Sequence, residues 1–318
     1  MIPAKTYELR IVFLNEEGDI HSLLLLKESV ASWLAANGVE SFVEGSIDDI
    51  YVDHNYDQTL SESFADMGGR ESPISIFDYS LEYLTTLKAK LLAFFPTGIR
   101  VEDHSMESQV WMEGWKESFK PISTDRFWIH PPWDVPANIE HKFMIDIEPG
   151  MAFGTGQHAT TQICMRELEK LHPSRIIKKR CLDVGTGTGV LAIAASKLGF
   201  SEVVGTDIDH LAIESANYNC GVNHAKVKVW QGSCPTHYPE GNVFEPADLV
   251  IANILPVVLY RILPDLARVT AVGGLLIMSG ILVEQLPEMT EACRAHGFVA
   301  LSESSFEGWG LLLLEKRV

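Results

Sequence analysis

The sequence predicts an α/β protein: a doubly wound, mostly parallel seven-stranded sheet preceded by a small α+β domain. Three observations carry this. From about residue 181 onward, short apolar runs alternate with helical patterns, the rhythm of a parallel sheet with right-handed crossovers. Two closing strands with no helix between them predict an antiparallel pair at the end of that sheet. Before residue 105 the patterns follow a different order, β-α-β-β-α-β, which places two helices on one face of an antiparallel sheet in the ferredoxin-like manner.

In chain order, Tyr7 to Phe13 alternates as a strand does, and a helical pattern runs from about 21 to 37, ending at Asn37-Gly38. Ser41 to Gly45 reads as a second strand. The polar stretch from Asp53 to Pro73, rich in Asp, Ser and Gly, reads as a long loop or insertion. A strand from Ile74 to Tyr79, a helix from Leu81 to Phe95 and a strand from Gly98 to Asp103 complete a first domain bounded at residues 1–105. Residues 106–135 then read as a connection. In it Trp111, Trp115 and Phe119 fall on one helical face before Pro121, and a short strand from Arg126 to His130 leads into Pro131-Pro132.

The second domain is placed at 136–318. Its helices are expected at Val190 to Leu198, His210 to about Val222, Val257 to Thr270 and about Glu284 to His296. Strands other than those of the glycine motif are expected at Val227 to Trp230, Asp248 to Ala252, Leu275 to Ser279, Val299 to Glu303 and Gly310 to Glu315.

Composition narrows the chemistry. The 318 residues are long enough for two domains, and 25 Lys and Arg against 43 Asp and Glu give a net charge of -18. Such a balance disfavours a nucleic-acid backbone as partner and favours a basic one. The five cysteines, Cys164, Cys181, Cys220, Cys234 and Cys293, form no C-x-x-C pair, so they read as reduced thiols of a cytoplasmic protein with no zinc site. The first ten residues lack an apolar core, and Leu23 to Leu26 is too short to span a bilayer, so no membrane attachment is expected.

The reactive features gather in Cys181-Leu182-Asp183-Val184-Gly185-Thr186-Gly187-Thr188-Gly189 and in Val203-Val204-Gly205-Thr206-Asp207. This is a strand, a glycine turn, a helix, and a second strand ending in a carboxylate. Gly185 and Gly187 let backbone N–H groups approach a ligand, the helix offers its positive N-terminus, and Asp207 can accept from two vicinal ribose hydroxyls. A nucleoside-bearing cofactor is indicated. The dinucleotide fingerprint needs a glycine at position 190, where this chain has Val190, and Asp183 would repel a pyrophosphate while suiting a cationic amino group or sulfonium.

Two further segments carry polar groups to the same region. Pro149 to Thr161 reads Pro-Gly-Met-Ala-Phe-Gly-Thr-Gly-Gln-His-Ala-Thr-Thr. Its glycines make a mobile loop around Phe153 and Thr155 that can fold over a ligand, and Thr161 opens the next helix with a hydroxyl. The fourth strand ends in Asn253-Ile254-Leu255-Pro256, where open α/β sheets bind ligands at the carboxyl ends of their strands. The Asn253 amide oxygen there can accept from a substrate amine.

The D-x-G-x-G-x-G run at 183–189 resembles motif I of the class I S-adenosylmethionine-dependent methyltransferases. Together with the 149–161 segment, Asp207-Ile208-Asp209, Ala252-Asn253-Ile254-Leu255, Ser279-Gly280-Ile281-Leu282 and Trp115-Lys116-x-x-Phe119-Lys120-Pro121, it resembles the PrmA family of bacterial ribosomal protein methyltransferases, which modify the eleventh large-subunit protein. The chain departs from the family's usual pattern at Gln157 and Ala159, where Thr and Pro are common, and at Thr186, where Cys is common. The likeness implies S-adenosylmethionine held by Thr161, Gly185, Asp207 and Asn253, a small N-terminal domain that recognises the protein substrate, and methylation of lysine side chains and of the N-terminal amine. The reading of the residues adds Asp183, Gly187, Phe153 and Thr155 to the candidate cofactor site.

Methyl transfer to an amine needs a neutral nitrogen lone pair, and a closed pocket beside a positive sulfonium disfavours the ammonium form without a dedicated base. Asn253 is therefore the candidate catalytic residue, orienting the amine. Asp209, His158 and Trp309 are candidate supporting residues that read at least as readily as structural. Two other functions fit the same residues: a methyltransferase of another protein lysine or of a small amine, and a methyltransferase-like module that binds without catalysis.

Overall fold

Residues 5–14, 73–78, 80–107, 121–134, 142–148, 158–171 and 179–317, with scattered positions from Leu23 to Glu44, are described by a computed structural model. The chain divides into two compact units, Met1–Phe119 and Lys120–Val318. The polar 53–72 stretch, the aromatic stripe at 111–119, and Phe153 and Thr155 lie outside the described residues.

In the first unit β1 (Lys5–Phe13), β2 (Val43–Glu44), β3 (Ile74–Asp78) and β4 (Ile99–Glu107) form an antiparallel sheet in the order β2-β3-β1-β4. Helix α1 spans Leu81–Phe94 and is capped by Ser80, whose hydroxyl accepts the Tyr83 N–H at 3.2 Å. Leu23, Leu26 and Val30 to Ala31 are among the helical positions between β1 and β2. Because strand side chains alternate, Leu9 and Ile11 of β1 share a face with Ile74 and Ile76. That face buries Val30 and Leu34 together with Leu84, Leu87 and Leu91 of α1. Both helical segments thus cover one side, as a ferredoxin-like sheet requires. The other side carries Glu8 and Arg10, joined at 3.0 Å, with Ser75 Oγ donating to Glu8 at 2.6 Å.

The second unit is built on seven strands in the order β10-β9-β8-β11-β12-β14-β13. These are β8 (Arg180–Val184), β9 (Glu202–Asp207), β10 (Val227–Gln231), β11 (Ala247–Asn253), β12 (Thr270–Leu282), β13 (Phe298–Phe306) and β14 (Trp309–Lys316). β14 runs antiparallel to both its neighbours, and the other pairs are parallel. The connecting helices are α2 (Ala159–Lys170), α3 (Val190–Lys197), α4 (His210–Val222), α5 (Pro256–Val269) and α6 (Leu286–Ala295). Strands buried on both faces favour continuous apolar runs, which β11 has from Leu249 to Ala252, whereas the buried run of β8 is interrupted by Asp183. Cys181, Val203, Leu249, Ile251 and Ile277 point to the side covered by α2 and α3, whereas Leu182, Val184, Val250, Ala252 and Met278 point to the side covered by α5 and α6. Each fully buried aliphatic side chain contributes about 1.5–3 kcal/mol.

Two features differ from the sequence reading. β12 starts at Thr270 rather than Leu275, since a register shift beside Ala247 and the left-handed Gly273 (φ 77) let the chain pair with β11 through what reads as a glycine loop. A separate three-stranded sheet, β5 (Ile122–Ser123), β6 (Phe127–His130) and β7 (Phe143–Asp146), packs Phe127, Ile129 and Ile145 against the α2 and α3 cluster. β7 is too short to show alternation. Among the described residues no helix is long and apolar enough to cross a membrane.

Candidate active site

Strand order places β8 between β9 and β11, so successive connections leave β8 in opposite directions and open a crevice at the carboxyl ends of these strands. Asn253 ends β11, the glycine turn follows β8, and Asp207 ends β9.

The turn is shaped by its glycines. Gly185, Gly187 and Gly189 have φ of 72, 54 and 82, the left-handed region. A Cβ on Gly185 would lie 2.4 Å from Ile254 Cγ2, so the turn and the segment after β11 touch with no room for a side chain. Gly280 of β12 meets the same segment from the other side, where a Cβ would lie 2.3 Å from the Ile254 carbonyl oxygen. The Gly185 and Thr186 N–H groups both donate to Thr206 O, at 2.8 and 2.9 Å, and lock the turn onto β9.

Asp183 lies beneath this turn, 1% exposed, and accepts from Thr186 Oγ1 at 2.7 Å. Burial raises its carboxyl to about 7 against the opposing hydrogen bonds from Thr186 and the Ala192 N–H. Asp207 is half-buried. Its Oδ2 accepts the Gly187 N–H at 2.9 Å and its Oδ1 the Asp209 N–H at 3.1 Å. Burial raises its carboxyl too, opposed by those backbone donors. Beyond it, Gly232 N–H donates to Asp207 O at 2.8 Å, and Gln231, Gly232, Ser233 and His237 line a cavity of about 450 Å³ after β10.

On the other side of the turn, Asn253 Nδ2 donates to Thr161 Oγ1 at 3.3 Å. Its Oδ1 is buried with no hydrogen-bond partner among the described residues. An amide oxygen left unpaired in a buried position costs about 1–3 kcal/mol, which a ligand N–H would recover. Thr161 itself is 1% exposed in the first turn of α2, behind His158, whose Nδ1 accepts the Thr160 N–H at 3.3 Å as the cap. The His158 and Trp309 rings meet edge to face at 4.9 Å. Asp209 caps α4 by accepting the Leu211 N–H at 2.9 Å.

The structure therefore brings Thr161 to Asn253, Gly185 to Ile254, and Gly187 to Asp207, with Asp183 bracing the turn through Thr186. The sequence reading passes over Asn219 and Asn223, which it places only within or beside a helix. Asn219 is fully buried and Asn223 nearly so, and both hold the backbone leading out of β7. Two amides four residues apart near a helix end are the signal that was available.

From residue 27 to 317 the sequence matches the family described as ribosomal protein L11 methyltransferase (PrmA). A ribosomal protein L11 methyltransferase from Symbiobacterium thermophilum is 39% identical over 212 residues, covering 66% of this chain and 67% of the relative. Another of that name, from Desulfitobacterium hafniense, is 35% identical over 228 residues, 70% of each chain. The crystal structure of a ribosomal protein L11 methylase from Lactobacillus delbrueckii subsp. bulgaricus superimposes with a TM-score of 0.56 at 30% identity, covering 63% of this chain and all of that one.

Proposed function

The chain belongs to the ribosomal protein L11 methyltransferase family, and from that membership we propose that it transfers methyl groups from S-adenosylmethionine to amino nitrogens of the large-subunit ribosomal protein L11. The observation that carries the chemistry is the buried, unpartnered Oδ1 of Asn253 at the carboxyl end of β11. Among the described residues it has no donor, and the glycine turn beside it is packed against Ile254.

The residues present suit the cofactor. Asp207 has lone pairs left for ribose hydroxyls after accepting the Gly187 and Asp209 N–H groups. Gly185 lets the turn pack directly against Ile254 after β11, and Thr161 at the start of α2 fixes the Asn253 amide through its Nδ2. Phe153 and Thr155 belong to the same proposed site by their place in the 149–161 motif. Bound S-adenosylmethionine supplies an electrophilic methyl group on a sulfonium, so that an N–C bond forms as an S–C bond breaks.

What the chain supplies is orientation and desolvation. A lysine amine has an ordinary pKa of about 10.4 and must lose its proton to solvent before it can react. A buried site disfavours the ammonium, and the Asn253 Oδ1 accepts one N–H of the neutral amine so that the lone pair stays free. Alignment of this kind contributes much of the rate in displacement reactions. The N-terminal unit is the proposed substrate reader, and the net charge of -18 suits a basic partner.

The test is incubation of the chain with methyl-labelled S-adenosylmethionine and purified L11, alongside whole-cell lysate, followed by mass spectrometry. Label on L11 amino nitrogens is expected. Label confined to another protein moves the substrate while leaving the chemistry, and no transfer to any acceptor removes the enzymatic reading.

A further inference from the structure

We infer that Asn219 is a positioning residue for this reaction, coupling the glycine turn to the segment that enters the 149–161 motif; the inference rests on the cofactor reading above. Its side chain is fully buried in α4 and spends both ends on backbone. Nδ2 donates to Thr188 O of the turn at 2.9 Å, and Oδ1 accepts the Glu148 N–H at 2.9 Å. One amide thus fixes two stretches of chain forty residues apart, the glycine turn and the residue that precedes the 149–161 motif in sequence.

The neighbouring geometry makes the coupling specific. Asn223, one helical turn later, binds Asp146 in the same manner, its Oδ1 accepting the Asp146 N–H at 2.9 Å and its Nδ2 donating to Asp146 O at 2.6 Å. Asp146 and Glu148 alternate along one edge, so the two amides act as a short surrogate strand beside β7. The same helix seats the turn directly. A Cβ on Gly189 would stand 3.3 Å from Ala216 Cα, one turn before Asn219. Helix α4 is therefore a common mount for the turn and for the approach to the loop motif, and the Asn219 side chain hydrogen-bonds to both. Asn223 reaches the approach and, through Nδ2 at 2.8 Å, the Asn219 carbonyl, but forms no hydrogen bond to the turn among the described residues, which makes it the internal control.

Replacing Asn219 by alanine leaves a carbonyl and an N–H unpaired in a buried place and frees the turn from the approach segment. In the full-length chain, calorimetric titration with S-adenosylmethionine should show about a tenfold or greater loss of affinity for Asn219→Ala. Asn223→Ala, at a similar loss of melting temperature, should change affinity less than about twofold, because its partner is not in the turn. A second variant separates positioning from bulk stability. Asn219→Asp retains the acceptor for Glu148 but donates to Thr188 O only when protonated, so its affinity deficit should narrow as pH falls, while that of Asn219→Ala stays constant.

If wild type binds and Asn219→Ala binds equally well, or if both alanine variants lose affinity in step with melting temperature, the inference is overturned alone. The pH-dependent deficit decides the case where the alanine variant does not fold, and a flat deficit in Asn219→Asp overturns it too. A wild-type chain that binds no S-adenosylmethionine overturns the cofactor reading and this inference with it.

Discussion

Asp183 illustrates how one buried group sets a pH dependence. Its carboxyl is raised from the ordinary aspartate value to about 7, chiefly by burial. Between those values the folded chain keeps a proton that the unfolded chain has released, so stability declines as pH rises through that window. The slope approaches about 1.4 kcal/mol per pH unit if no other group compensates. Asp183→Asn does not ionise and should flatten the decline, as read from urea unfolding at about pH 5 and about pH 8. Equal slopes in the two proteins would show that the carboxyl ionises freely. Asn253 is the second residue whose role can be isolated. Asn253→Ala should lower turnover by about tenfold or more while weakening cofactor affinity less, because orientation of the amine is expressed at the transition state. Steady-state kinetics beside a binding titration gives both quantities, and equal falls in the two would confine Asn253 to holding the cofactor.

At the scale of elements, the turn after β8, the segment after β11 and the kink in β12 fit one another through glycines. Gly280 has φ 85 and no space, since its Cβ would lie 2.3 Å from the Ile254 carbonyl. Gly273 of the same strand has φ 77 and nothing within 4 Å. The pair separates backbone strain from collision. Gly273→Ala should cost about 1–2 kcal/mol, the strain of a left-handed residue alone. Gly280→Ala should cost at least about 2 kcal/mol more and displace Ile254, weakening cofactor binding as well. Thermal unfolding of both variants measures the difference, and comparable losses would mean that Ile254 yields without cost. Most elements were legible from period and punctuation. The helix over His210–Val222 follows its Asp209 cap, and the β11 run is apolar on both faces. β7 was not legible, because four residues show no period and part of its edge is held by side-chain amides from α4.

The whole molecule is two units with separate duties in the proposed reading. Residues 120–318 contain every described candidate site residue and both of the hydrophobic clusters that flank the seven-stranded sheet. Removing residues 1–119 should leave S-adenosylmethionine affinity within about twofold and abolish transfer to L11. Transfer by the full chain should weaken as salt rises, since an acidic protein meeting a basic one is helped by long-range attraction that salt screens. A truncated chain that methylates L11 at the full rate would remove the first unit from substrate choice.

The sequence by itself determined the sheet, the place of the glycine turn and the residue types at the strand ends, because period, glycine spacing and the carboxylate of Asp207 are local properties of the chain. It also named Thr161 and Asn253, which stand ninety-two positions apart. Only the tertiary structure decided that these two share a hydrogen bond while Asn253 Oδ1 stays unpaired, that the Asp183 carboxyl lies sealed beneath the turn, and that Asn219 ties that turn to Glu148. Such facts depend on which side chains meet after the strands have been ordered β9-β8-β11, and no local pattern encodes a meeting between distant segments.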